Sequence, residues 1–348
     1  MQERILLSHG SGGLMMKNLL NEVVFNVFNS RYLQKGDDSA ILTLKDVIGT
    51  TTLSENQKLA FSSDSFVIDP IFFPGGDIGR LAVCGTVNDI TTSGAKPIAL
   101  SVSFIIEEGF EISKLKKICD SIKLTCEEAN VEVVTGDTKV VNKGLADRIY
   151  INTAGIGILN GNIDVSGSNC KDGDKVIFTG SIGDHGATIM CKRAGIRFDG
   201  DVESDVCPLN LIIQRVINRY PEIHALRDPT RGGVASTLNE FARQSCVDIK
   251  LYEEKVPIKE SVKSICDLLG LNVYHVANEG KMVMVVPNSI SNGVLDILHE
   301  YKYTKNAAIV GEVLQKKDMA NTRVYIETKY KTRRILDELS GEQLPRIC

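Results

Sequence analysis

The sequence predicts an α/β (α+β) chain of two layered domains with mixed sheets and a flexible C-terminal tail. Three observations carry this reading. Amphipathic segments with a 3.6-residue apolar period interleave with short apolar runs along all 348 residues. The interleaving lacks the strict strand–helix–strand regularity of a doubly wound parallel sheet, and no period of about 20–50 residues marks a repeat array. The same texture occurs on both sides of a polar, glycine-rich connector, Asn160-Gly161-Asn162 and Gly167-Ser168-Asn169. We therefore expect domains at 1–162 and 163–334 and a mobile tail at 335–348, in line with about two domains for this length.

In the first half, His9-Gly10-Ser11-Gly12-Gly13 opens a helix with apolar Met16, Leu19, Leu20, Val23, Val24, Val27 and Phe28 on one face. Gly36-Asp37-Asp38 leads into a strand at 40–44, and 45–58 reads as loop. A strand at 59–65 carries Asp64 near its end. The loop Pro74-Gly75-Gly76-Asp77-Ile78-Gly79 opens a helix that runs to Asn88-Asp89. A strand at 98–106 and a helix from Ile112 to Cys126 follow. The strand at 131–134 runs into Thr135-Gly136-Asp137-Thr138-Lys139, read as a strand-end loop, and 149–159 is a long strand.

In the second half, strands are expected near 175–179, 247–251, 281–286, 308–313 and 323–327. Helices are expected near 186–194, 208–219, 233–242, 259–269 and 289–301. Arg227-Asp228-Pro229-Thr230-Arg231-Gly232-Gly233 is the glycine loop before the third of these helices. The tail ends Pro345-Arg346-Ile347-Cys348. Pro345 fixes its own φ and holds Leu344 extended, so the end reads as a short arm with a thiol at its tip.

Composition excludes several classes. Net charge is −4 and the sequence pI about 5.8, with no basic footprint for nucleic acid. No apolar run reaches the ~18 residues that span a bilayer. The N-terminus lacks the marks of a signal peptide, so a cytoplasmic location without membrane contact is expected. The nine cysteines include no CxxC pair and no zinc-site spacing, which fits a reducing compartment. Cys84 is read as a buried hydrophobe without a redox role.

The chemistry is expected from carboxylates at strand ends and glycine loops: Asp37, Asp38, Asp64, Asp89, Asp137 and Asp228. Hard oxygen ligands at such points suit Mg²⁺ on polyphosphate oxygens. The glycine loops with Gly12, Gly13, Gly75, Gly76, Asp77, Arg231, Gly232 and Gly233 can aim N–H groups at phosphate. Neither a P-loop (GxxxxGK followed by Ser or Thr) nor a Rossmann GxGxxG occurs. Each feature alone has a plain structural reading: a turn, a helix C-terminus or a helix packed close to a sheet. Together they point to a metal–nucleotide site.

Gly36-Asp37-Asp38, Asp64, Asn88-Asp89, Gly136-Asp137 and Asp228, in this order, resemble the PurM-like ATP-binding superfamily. Longer strings resemble its HypE family of hydrogenase maturation factors. These are Ser63 to Gly79, Cys84 to Ile90, Thr135 to Val141, Arg227 to Gly233, Ala277-Asn278-Glu279-Gly280-Lys281, and above all the terminal Pro-Arg-Ile-Cys. The resemblance covers essentially the whole chain. It implies two PurM-like domains and an ATP-dependent dehydration on the chain's own thiol: a carboxamide loaded on Cys348 by the carbamoyltransferase HypF becomes a thiocyanate. The cyanide then passes to the HypC–HypD complex for the iron of [NiFe]-hydrogenase. By the same resemblance Asp38, Asp64, Asp89, Asp137 and Asp228 are the metal-site candidates, Asp37 being the weaker of its pair. Glu279 is the candidate base and Lys139 orients Glu279 or meets phosphate. Asn88 holds the carboxamide, and His9 and His185 are candidates for phosphate. The resemblance also implies a homodimer through the N-terminal domain, with strands 98–106 and 149–159 as its face, and an arm drawn inward by bound nucleotide. Two other readings stay open: a related ATP-dependent synthetase acting on a free small molecule, and a non-catalytic thiol carrier.

Overall fold

The computed structural model describes residues 13–19, 40–43, 57–196, 202–316, 322–341 and 344–348. His9, Gly12, Asp37 and Asp38 lie outside the described residues. In the first half, β1 (Ala40–Thr43), β2 (Gln57–Phe66), β5 (Lys96–Glu107), β6 (Glu132–Val141) and β7 (Ile149–Asn160) form one sheet, ordered β1-β2-β7-β5-β6. Only β5 and β6 run parallel; the other pairs are antiparallel, so the sheet is mixed. A hairpin, β3 (Phe72–Phe73) and β4 (Gly76–Asp77), leads into the helix α2 (Ile78–Thr92). It follows the short α1 (Leu14–Leu19) in chain order, and α3 (Ile112–Ala129) is next.

The apolar residues of α2 and α3 cover one face of this sheet. On β7 the residues facing α2 are small. A Cβ at Gly155 would stand 2.6 Å from Ile90 Cδ1 and 2.7 Å from Leu100 Cδ2, so only glycine admits the helix this closely. Among the described residues nothing covers the opposite face: Phe61, Ile98, Ile105, Ile156 and Ile158 are exposed there.

The second half is a seven-stranded mixed sheet. Its strands are β8 (Lys175–Phe178), β9 (Ala225–Arg227), β10 (Val247–Tyr252), β11 (Val283–Val286), β12 (Ala308–Gln315), β13 (Val324–Glu327) and β14 (Arg333–Ile335). The order is β14-β13-β10-β12-β8-β11-β9, with β10 and β13 parallel. Helices α5 (Asn210–Arg219) and α8 (Ser291–His299) pack through one apolar cluster, and α6 (Gly233–Ser245) through another. α4 (Asp184–Arg193) and α7 (Glu260–Leu269) join the cluster of α2 and α3, where Leu344, Ile347 and Cys348 are also buried.

Several expectations shift. β6 continues through Thr135–Lys139 to Val141, so Asp137 sits inside an edge strand and not in a strand-end loop. Gly136 serves that pairing, since a Cβ there would lie 2.1 Å from Val102 O. α2 runs on to Thr92, so Asn88 and Asp89 are within the helix. Residue 335, expected to begin the tail, is the last of β14. Leu336 beyond it is buried, and Glu338 pairs with Lys17 and Arg243.

Candidate active site around the seated C-terminus

The chain's end, expected as a mobile arm, lies seated in the structure. Just past β2 the backbone N–H groups of Val67 and Asp69 hold it by its carbonyls, across a turn in which Arg346 takes φ +48°. Val67 N donates to Cys348 O at 3.0 Å and Asp69 N to Arg346 O at 3.3 Å. Arg193, the last residue of α4, donates to Pro345 O and Arg346 O at 2.5 Å each, and to Asp69 O at 2.5 Å. His185 contacts Ile347 O through Nε2 at 2.8 Å and Ser204 Oγ through Nδ1 at 2.7 Å. Burial holds the His185 ring below its ordinary range, hence neutral. The neutral tautomer that fits donates from Nε2 to the carbonyl and accepts from Ser204. Arg346 donates to Val67 O at 2.9 Å and to Asp147 at 2.5 Å.

Ordering residues 344–348 costs about 1–2 kcal/mol each. Burying Leu344 and Ile347 returns about 2 kcal/mol each, and hydrogen bonds from charged groups about 1.5–3 each. At these magnitudes the returns outweigh the cost, so the seated end is held by its contacts.

The seat delivers Cys348 into a charged pocket. Burial pushes its thiol up to about 12; Arg231 opposes the shift, and Glu279, Asp64 and Asp228 add to it. Arg231 is held charged by Cys348 first, then by Asp64, Glu279 and Asp89. Burial lifts Glu279 well above the usual carboxylate range, and Asp228, Asp205 and Asp64 add to this while Arg231 lowers it. Glu279 Oε1 is buried without a hydrogen-bond partner. Burial also raises Asp64, against Arg231 and a 2.7 Å bond from Ser65 N. Asp89 accepts from Ser62 Oγ at 2.8 Å.

The Glu279 loop is fixed from behind. Asp205 accepts from Glu279 N and Gly280 N at 3.2 Å each and pairs with buried Lys281 at 3.4 Å. Asn278 donates to Pro229 O at 3.0 Å and accepts from Gly183 N at 2.7 Å, which ties this loop to the Asp228-Pro229 loop.

Beside the thiol, α6 starts at Gly232-Gly233, both at positive φ, with its N-terminus toward a small pocket lined by Gly13, Arg231, Ser236, His275 and Ile347. Ser236 Oγ and His275 Nδ1 are buried there without partners. A helix N-terminus, an arginine and the Ser236 hydroxyl fit phosphate oxygens, while His275 donates from Nε2 to Asp337 O at 2.8 Å and keeps Nδ1 as an acceptor. No three metal-ligating side chains among the described residues converge on one point. That suits Mg²⁺ better than a caged metal, because Mg²⁺ takes one or two carboxylates and completes its shell with phosphate and water.

Of the sequence-predicted residues, the structure brings together Cys348, Glu279, Asp64, Asp89, Asp228, Arg231, Gly232, Gly233 and Gly13. It does not bring the others with them. Asp137 shares a row with Ser103, Asn152 and Ser65 on the uncovered face, opposite to the row of Asp64. Lys139 pairs with Asp137 at 2.9 Å and not with Glu279, both being exposed. Asn88 is spent as a brace: it donates to Cys207 O at 3.1 Å and accepts from Leu209 N at 2.9 Å. Asp77 caps α2, accepting from Gly79 N at 2.7 Å and Arg80 N at 3.1 Å. Gly75 in the hairpin turn and Gly76 in β4 pack against Ser204 and Val206, so this loop is a joint between the halves. His185 holds the tail's backbone. Sequence reasoning missed Arg193, Asp205, Asn278, Ser236 and His275. Of these only Asn278, next to Glu279, carried any signal.

The description "AIR synthase related protein, N-terminal domain" matches residues 36–159, and its C-terminal counterpart matches 171–322. Carbamoyl dehydratase HypE of Escherichia coli (strain K12) is 42% identical over 344 residues, covering 99% of each chain. A solved HypE–HypF complex superposes with a TM-score of 0.84 at 46% identity, over 92% of this chain and 99% of the other. A solved HypE in complex with ATP gives 0.81 at 42% identity, over 99% and 100%.

Proposed function

The chain belongs to the HypE family of carbamoyl dehydratases, within the AIR synthase related proteins, and from that premise we propose that it dehydrates a carboxamide carried on its own Cys348 at the expense of ATP. The observation that carries the proposal is the buried terminal thiol, seated among Arg231, Glu279, Asp64 and Asp228. A small molecule diffusing into a pocket would have no use for this seat.

In the reaction, S–C(=O)–NH₂ and ATP give S–C≡N, ADP and phosphate. The amide oxygen attacks the γ-phosphorus, and its C–O bond breaks after both N–H protons are lost. The oxygen leaves in the phosphate. One proton ends on hydrogen phosphate and the other passes to the medium. Glu279, buried and lacking a partner on Oε1, is positioned to take a proton from the nitrogen. Burial and the neighbouring Asp228 raise its pKa, which suits it to hold that proton. Arg231 faces the charge that grows on the transferred phosphoryl group. One or two of Asp64, Asp89 and Asp228 would hold Mg²⁺, which neutralises phosphate charge when bound; Asp38, the other candidate, lies outside the described residues. Gly232, Gly233, Gly13 and Ser236 would hold phosphate oxygens.

The seated thiol is protonated at neutral pH and enclosed. Loading therefore belongs to the released end, where HypF can reach it, and the thiocyanate leaves by the same release toward the HypC–HypD complex. We also place a second copy on the uncovered sheet face. Exposed Phe61, Ile98, Ile105, Ile156 and Ile158 form an apolar surface there, and Asp137 and Lys139 on the same face would serve a site shared between subunits. Turnover of Cys348-carbamoylated protein with MgATP tests the proposal. Thiocyanate at Cys348 is the expected product, and Cys348→Ala should give none. A chain that turns over a free small molecule without Cys348 would be a synthetase instead.

A further inference from the structure

The contacts of the seated end are made almost wholly to its main chain. The carbonyls of Pro345, Arg346, Ile347 and Cys348 are all accepting, from Arg193, Asp69 N, His185 and Val67 N. Pro345 is asked for a carbonyl only, so its missing N–H costs nothing. Side-chain selectivity comes from two buried apolar residues, Leu344 and Ile347, and from Arg346 against Asp147. Ser340 and Gly341, which lead into the seat, are exposed. The covalent link is thus no part of the recognition. This is capture of a turned chain end by its carbonyls, Arg346 standing at φ +48°, with pockets for two apolar side chains.

We propose that the seat is a peptide-binding site in its own right, which accepts a Leu-Pro-Arg-Ile-Cys end supplied by another molecule, with Arg193 as its positioning residue. The binding claim stands on geometry alone, and only its chemical arm rests on the dehydratase reading. The tether gives the chain's own end a high effective concentration, so a competing peptide needs the seat vacated. Ile347→Lys does this in the full-length chain, because its ammonium would be buried facing Arg231 and the N-terminus of α6 without a partner. Cys348→Ser in the same host removes the internal acceptor.

The probe is a fluorescent octapeptide of residues 341–348 added to this full-length host, whose fold is checked by circular dichroism and by its thermal shift with MgATP. Saturable binding is expected, absent for a scrambled peptide. Arg193→Met in the host should raise Kd at least about tenfold, as loss of two charged hydrogen bonds implies, and Arg193→Lys should fall between. In the chemical arm the S-carbamoyl octapeptide with MgATP should yield the thiocyanate peptide. Arg193→Met should raise its KM in step with Kd and change kcat within about twofold, a split that a general structural defect would not give. A folded host that binds no peptide, or binds equally with Arg193→Met, overturns the proposal. So does binding without conversion when the wild-type chain converts its own loaded Cys348. If wild type fails to convert Cys348 while the peptide binds, the dehydratase reading falls and the peptide site stands.

Discussion

Glu279 shows how one residue's environment links stability to chemistry. Its folded pKa is raised, so the folded chain holds a proton that the unfolded chain releases near the ordinary glutamate value of 4.5. Stability therefore falls as pH rises from about there toward the folded pKa, and the cost is in place at neutrality. Glu279→Gln removes it. The variant should be at least as stable as wild type at pH 7 and lack that pH slope, while MgATP still shifts its melting temperature. It should stall with carbamoyl on Cys348, a loss of about 10²-fold or more for a general base. Equal turnover with wild type would reject Glu279 as the base. In wild type the dehydration rate should climb with pH through a group well above the usual carboxylate range. A rate limited at the ordinary carboxylate value would point to another residue. Glu279 was legible in the sequence because it stands in Ala277-Asn278-Glu279-Gly280-Lys281. Arg193 was not, since a basic residue in a helix's last turn reads as a partner of the helix dipole.

Among the elements, β6 was the hardest to read and has the clearest physical reason. An edge strand exposed on both faces has no alternation to display. Thr135-Gly136-Asp137-Thr138-Lys139 thus read as a loop, and Asp137 was grouped with carboxylates on the opposite face of the sheet. The helices were legible because each buries one stripe. β14 was missed because Arg333–Ile335 is short and exposed. The pairing of β5 and β6 gives a direct test. Gly136→Ala places a Cβ 2.1 Å from Val102 O, so the strands must part. We expect a loss of about 1–3 kcal/mol in denaturant unfolding. An unchanged midpoint would show that β6 does not pair as described.

For the whole molecule, the two-domain α/β architecture followed from interleaved patterns on either side of a polar connector. The seated end did not, because its partners are backbone atoms of Val67 and Asp69 and two side chains without a motif. The uncovered sheet face belongs to this scale as well. Phe61→Asp with Ile156→Asp should leave the fold intact, since both side chains already face solvent, and should shift sedimentation from dimer to monomer. A wild-type chain that sediments as a monomer at micromolar concentration would remove the second copy from the account. The most direct test of the central claim is the intact mass of the chain, first after carbamoyl transfer from HypF and then after MgATP. The account predicts one carbamoyl gained at Cys348, then one water lost, with one ADP formed per chain. A carbamoyl adduct that persists unchanged with MgATP would contradict it and leave only a thiol carrier.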